Sequence, residues 1–305
     1  MTTTHQRRYG RRAPKNAPAI RLANSLTGVV PVHPAAVDQL ARLAGGWQML
    51  GNDIAGCCVP VTWANLRRLI TAVLGAREVY PTQDQVWAVY KTQNPKFDPN
   101  GSADTNGPGS QYDQGMDIQT LLEWLVKVGG PDGVKAIGFA KVDHTKPDEV
   151  KAAIAIFGSV WTGITVLDAN QDEFGAGQPW NYVKGSAVDG GHSVLTGGYG
   201  PAGKGALGGD ERFITWASET SFTDSFWQHE VEECWVVIWP EHLGSKAFQD
   251  GVDLAQFAAD YTAITGKAFP AVVPPPAPVP TPTPGGPTGA QVAAAVRAAL
   301  NGLGV

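Results

Sequence analysis

Two cysteines stand side by side in GNDIAGCCVP, residues 51–60, directly before the run VPVTWANLRRLITAVLG. Four kinds of chemistry are open to them: a redox pair, half of a metal site, a nucleophile with a bystander, or packing. A disulfide between neighbours closes a small strained ring and opposes a helical start. A zinc site draws its paired ligands from positions about two to four residues apart, whereas adjacent side chains on a helix diverge by about 100°. Packing is ordinary for a free thiol and is the reading for Cys57 and Cys234. Cys58 differs by position. Val59, Trp63, Leu66, Ile70, Val73 and Leu74 recur at helical spacing, which predicts a helix over 58–74 with Cys58 at its start. Unpaired N–H groups and the positive end of the dipole there favour a thiolate and predict a lowered thiol pKa.

A thiol nucleophile needs a base within hydrogen-bond reach. Of the six histidines, His5 lies near the N-terminus, His33 and His242 stand by prolines, His144 leaves a strand and His229 sits in a charged helix. His192 opens a strand directly after Gly190-Gly191, where glycines let another backbone approach closely. It is the candidate base.

The elements that must hold this pair follow from periodicity. PTQDQVWAVYKTQ and MDIQTLLEWLVKVGG read as two more helices, and HPAAVDQLARLAGG as a short one. Residues 94–115, rich in Gly, Pro, Asn and Asp, read as a long loop. VKAIGFAKVD then alternates like a strand, KPDEVKAAIAIFG starts a helix on its proline, and SVWTGITVL reads as a strand followed by a polar loop over 168–190. GHSVLTGGYG, RFITWAS and ECWVVIWPEH are further strands. TDSFWQHEV reads as a short helix between the last two, and GVDLAQFAADYTAITG as an amphipathic helix with a glycine stop. Helices first and a mostly antiparallel sheet second is an α+β order.

The ends differ from this body. Residues 1–32 read as an extended basic arm: positions 1–22 carry six basic residues and no acid, so the net charge of −5 leaves −11 on the remainder. Such an arm reads as a solvated tail or as a segment that docks on an acidic surface. Residues 33–268 form the folded body. Residues 269–287 are a proline-rich linker, with nine of the 23 prolines between 270 and 287, a span of up to ~55 Å at ~3.1 Å per residue. Residues 288–305 read as a short Ala-rich helix, too short to be stable alone in water, and equally as a docking tether or a frayed tail. No run of 18 apolar residues marks a transmembrane helix, no apolar leader is visible, and three cysteines make no disulfide framework. The expectation is a chain made in a reducing cytosol, with no membrane partner, no metal and no cofactor.

A helix-start cysteine followed about 130 residues later by Gly-Gly-His resembles the papain-like cysteine peptidases, including the peptidases of bacteriocin transporters. The chain looks more specifically like a family of papain-like proteins common in actinobacteria and their phages. GNDIAGCCV, DQGMDIQTLLEWL, VKAAIAIFGSVWTGI, GGHSVLTGGYG, ITWA, VEECWVVI and GVDLAQFAADYTAITG carry the likeness over roughly residues 30–266. The resemblance implies a papain-like α+β fold with Cys58 as nucleophile, His192 as base and Asn52, six residues before Cys58, as oxyanion donor. The same offset from Cys57 lands on Gly51, which has no side chain. Two departures stand out. Cys57 replaces an acid frequent in the family, and Ile214 or Thr215 stands where an amide should orient the imidazole, with Glu219 and Asp224 as substitute third members.

Two functions follow from the resemblance. One is a phage virion-associated protein of head or tail, made in the host cytoplasm, whose papain-like body carries a vestigial site. Its arm and C-terminal helix would then dock on other virion proteins, and its body on a host surface peptide or glycan. The other is an active thiol hydrolase of peptide or cell-wall peptide bonds. Specific nucleic-acid binding is not expected, because six charges on an unstructured arm give only salt-sensitive contacts.

Overall fold

The computed structural model describes residues 7–269 apart from 16, 28–32, 44, 76 and 201–210. The chain divides into units Met1–Pro275 and Pro276–Val305. The proline-rich linker beyond Phe269 and the C-terminal helix predicted over 288–305 lie outside the described residues. Helices come first, α1 (Leu22–Ser25), α2 (Cys58–Val73), α3 (Gln83–Tyr90) and α4 (Ile118–Lys127), with only the two-residue β1 (Val37–Asp38) among them. Then follow β2 (Gly138–Val142), α5 (Pro147–Phe157), β3 (Val160–Leu167), α6 (Asp168–Gly175), β4 (Val188–Tyr199), β5 (Glu211–Thr215), β6 (Ser218–Phe222), α7 (Asp224–Glu230), β7 (Val231–Ile238), α8 (Lys246–Gly251) and α9 (Leu254–Thr265).

The strands form one sheet in the order β2-β7-β3-β4-β5-β6, with β1 also on β4, and every pairing among them is antiparallel. Both faces of its centre are covered, so β3 and β7 are buried along nearly their whole length, while β2 alternates. On β7, Cys234, Val236 and Ile238 pack into a core with α5, α7 and α8. Trp235 and Val237 face the opposite way, into the core of α2, α3 and α4. Helix α2 is the axle of that second core. Its buried guanidiniums are paired, Arg67 with Asp132 at 2.7 Å and with Glu241 at 2.9 Å, and Arg68 with Glu78 at 2.7 Å.

Three local expectations are corrected, and one strand is added to those read from sequence. HPAAVDQLARLAGG makes β1 and a 3-10 turn at Leu40–Arg42 rather than a helix, because Val37 and Asp38 pair with Tyr199 and Gly198. The loop over 168–190 contains α6. SETSF, polar on one side, forms the edge strand β6. The largest correction concerns the arm. Its described residues are docked on the body: Ile20, Leu22 and Leu26 lie in the core and Arg11 is buried on Glu232 and Glu233, while Ala13, Lys15, Ala17, Pro18, Arg21, Ala23, Asn24 and Thr27 stay exposed.

Candidate active site

The approach to α2 is a tight series of turns. Leu50 and Gly51 adopt left-handed φ of 50° and 92°, and a Cβ on Gly51 would fall 2.2 Å from the Trp87 ring. These turns bury Asn52, whose Nδ2 donates to Ala55 O at 3.3 Å. Cys57 caps the helix and is fully buried, its thiol near the Leu50 carbonyl. Burial, with the neighbouring Cys58 thiol next, holds its pKa well above the ordinary value, which fits the packing role read from its position.

Cys58 is the first residue of α2 and is 1% exposed. Here the expected lowering of its pKa is reversed. Burial pushes the thiol up to about 11, against the opposing pull of the Ser193 backbone amide, the Arg11 charge and the backbone amides of Gly10 and Val59. The helix start acts on the thiol, but desolvation in a closed site outweighs it. The facing Ser193 amide belongs to the residue after His192. Ser193 also ties the two elements together, since its hydroxyl donates to Thr62 Oγ1 on α2 at 2.9 Å and accepts from Trp161 Nε1 at 2.7 Å. This clamp had no signal in the sequence beyond a serine following the histidine.

His192 lies on β4, 1% exposed, stacked on Trp216 at 4.7 Å with 26° between planes. Its Nε2 hydrogen-bonds Thr215 Oγ1 at 2.7 Å, while Nδ1 is buried without a partner. Neither Glu219 nor Asp224 is the side chain bonded to this ring nitrogen. Thr215 ends β5, which pairs directly with β4, whereas Glu219 sits one strand further out on β6, opposite Ile214. Asp224 opens α7 beyond β6. The β5–β6 turn is made by Trp216 and Ala217 at φ 43° and 61°, left-handed values that such residues rarely adopt. The strained turn is what holds the Trp216 ring over His192. Burial and, second, the Arg11 charge push the His192 pKa down to about 3. Thiol and imidazole are both neutral in this state.

What buries them is the chain's own N-terminal segment. Residues 7–12 run as an extended strap between the two halves of the site. Arg8 exchanges backbone and side-chain bonds with Asn52: its N–H donates to Asn52 O at 3.1 Å and its carbonyl accepts from Asn52 Nδ2 at 3.1 Å. On the sheet side the N–H groups of Gly10 and Arg11 donate to Gly191 O at 3.2 and 2.9 Å. On the helical side Met116 N–H donates to Gly10 O at 2.6 Å and Arg12 N–H donates to Met116 O at 2.9 Å. Gly10 is needed at the narrowest point, where a Cβ would fall 1.7 Å from Gly56 O. The close backbone approach expected at Gly190-Gly191 is made by this strap. Tyr9 meets the His192 ring edge-on at 5.8 Å and donates to Asp189 Oδ2 at 2.5 Å. The Arg7 guanidinium lies over Phe174 at 4.4 Å and Trp216 at 5.4 Å.

Among the described residues no group of three or more His, Cys, Asp or Glu side chains is placed to hold a metal ion, and no helix is long and apolar enough to cross a membrane.

No protein-family model matches the chain, and no curated protein sequence matches it. Among solved structures it is similar to xylellain, a cysteine protease from Xylella fastidiosa, at 15% identity and a TM-score of 0.56, over 78% of this chain and 98% of that one. It is also similar to procathepsin L 3 from the larval midgut of Tenebrio molitor, at 10% identity and TM-score 0.49 over 74% of this chain and 76% of that one. A third similar structure is procathepsin B S9 from Trypanosoma congolense, at 11% identity and TM-score 0.49 over 77% of this chain and 86% of that one. The likeness to xylellain identifies the α+β architecture as the fold of papain-like cysteine proteases.

Proposed function

We propose that the chain is a papain-like thiol hydrolase of peptide bonds, latent in this conformation because residues 7–12 occupy its groove. One observation carries the reading. An extended peptide is bonded along both walls of the groove that runs by Cys58 and His192, and the Asn52 amide donates to one of its carbonyls. A groove that seats its own backbone in this way is shaped for a peptide.

With the strap displaced, water enters and the desolvation that keeps thiol and imidazole neutral is relieved. His192 Nδ1, the nitrogen not held by Thr215, then accepts the Cys58 proton. The thiolate attacks a peptide carbonyl carbon. Asn52 Nδ2 and the Cys58 N–H stabilise the oxyanion, His192 returns the proton to the departing amine, and water hydrolyses the thioester. Thr215 holds the imidazole through Nε2. The test is peptide hydrolysis by the full chain carrying Gly10→Ala, whose added methyl has no room in the groove. Turnover that appears in this variant and vanishes on adding Cys58→Ala supports the reading; an inert folded variant refutes it.

Thr215 favours a second reading. A hydroxyl orients an imidazole less firmly than a carboxylate or amide does, which suits a body that has kept its groove and lost its chemistry. In that case the chain is a phage virion-associated protein of head or tail, docked on other virion proteins through residues 270–305. Particles that retain a chain ending at residue 269 would count against it.

A further inference from the structure

Arg11 is the strap's deepest anchor, its side chain 2% exposed. Nη1 donates to Glu233 Oε1 at 3.1 Å and to Arg12 O at 3.2 Å, and Nη2 donates to Glu232 Oε2 at 2.6 Å and to Ile164 O at 3.2 Å. The receptor for this guanidinium is built from the sheet and does not depend on the strap. Trp235 Nε1 donates to the second oxygen of Glu233 at 2.7 Å, and Thr165 Oγ1 donates to the second oxygen of Glu232 at 2.5 Å. Consecutive residues of a strand normally point to opposite faces. Here the β3–β7 register shifts between Gly163 and Ile164, which pair with Glu233 and Val231 and leave Glu232 as the extra residue of a bulge. A bulge re-aims side chains, and this one brings two successive carboxylates to one cation. Gly163 makes the room: a Cβ there would fall 2.6 Å from Glu233 Cγ and 2.8 Å from Arg11 Cδ.

We infer that this pocket is the groove's specificity pocket, taking the arginine side chain of whichever peptide replaces the strap, with Glu233 as the determinant. The inference rests on the peptide groove proposed above and not on turnover. Glu233 is 1% exposed, and a buried carboxylate without a cation is costly, so a displacing peptide gains most by supplying one. The acceptors are three, the two carboxylates and the Ile164 carbonyl. A planar guanidinium reaches them together, whereas a lysine ammonium is a point charge on a single stem. The basic strap on an acidic body is the same complementarity at the scale of the chain.

The test reads binding. The full chain carrying Gly10→Ala and Arg11→Ala, which lacks both the strap's fit at Gly56 and its anchor, is titrated with a fluorescent peptide Arg-Arg-Tyr-Gly-Arg-Arg. The same peptide with citrulline at the Arg11 position is the comparison. The arginine peptide should bind at least about tenfold more tightly, and adding Glu233→Gln should bring the two within about twofold. Equal binding of the two peptides, or no binding of either by a chain that melts cooperatively, overturns the inference. If the double variant does not fold, the single Arg11→Ala chain is titrated against the same pair with the same criteria. A chain that discriminates the peptides yet hydrolyses none sinks the hydrolase reading and leaves this one standing.

Discussion

Thr215 Oγ1 lies 2.7 Å from His192 Nε2 and is the side chain that orients the imidazole. The bond crosses one strand pairing, β4 to β5, and leaves Nδ1 as the nitrogen available to a thiol proton. Thr215→Ala, in a chain whose strap is displaced by Gly10→Ala, should lower kcat by roughly tenfold or more with little change in KM, since only the ring's orientation is lost. Thr215→Asn should restore or raise kcat. Equal kcat for Thr and Ala at this position would show that Trp216 stacking alone orients the ring.

Arg11 and Glu233 form a buried ion pair between strap and sheet. Arg11→Met leaves the buried Glu233 without its cation, whereas Glu233→Gln leaves Arg11 on Glu232 at 2.6 Å, so Arg11→Met should destabilise the chain more, and adding Glu233→Gln to it should cost less than Glu233→Gln does alone. A double-mutant cycle by urea denaturation should give a coupling of about 1–3 kcal/mol. Additive effects would mean that the Glu233 contact adds nothing to the hold of Glu232 and the backbone on this part of the strap.

Acid should loosen the closed state through His192. Its ordinary pKa is 6.5 and burial lowers it to about 3. Above pH 6.5 the ring is neutral whether the chain is folded or unfolded and contributes no pH dependence. Between 6.5 and 3 the unfolded chain binds a proton that the folded chain refuses, so stability falls as pH falls. From pH 7 to pH 4 the loss from this group is on the order of 3 kcal/mol. Glu233, whose carboxyl burial raises, acts with the opposite sign. Urea melts of the native chain and of His192→Gln over this range isolate the histidine: the native chain should lose more stability, and parallel curves would contradict the assignment.

Local signals carried part of the site. The helix beginning at Cys58 follows from six apolar residues at helical spacing, whereas the role proposed for Asn52 comes from the family resemblance. The Gly-Gly before His192 correctly marked a place of close approach. Long-range pairing hid the rest. Arg11 and Glu233 are 222 positions apart, so sequence leaves open whether the basic segment is a solvated arm or docks on an acidic surface; in the structure it docks on the chain's own carboxylates. The helix start at Cys58 is visible in sequence and predicts a lowered thiol pKa; the burial that outweighs it is visible only in the fold. β6 went unread because its strand is polar and its turn is Trp-Ala rather than the Asn-Gly type that announces a hairpin. Glu219 and Asp224 were near His192 in sequence order, but the sheet sets β5 between them and the ring.

The central claim is that the strap alone keeps the Cys58–His192 pair idle. Its most direct measurement is the rate at which iodoacetamide alkylates Cys58 at pH 7, in the native chain and in the full chain carrying Gly10→Ala, with the modified residue identified by mass spectrometry. Native Cys58, buried and raised to about 11, should react slowly. The variant should react at least about a hundredfold faster, because release of the strap restores solvent and the helix-start effect on the thiol. An equally slow rate in a folded Gly10→Ala chain, or a fast rate in the native one, would contradict the account.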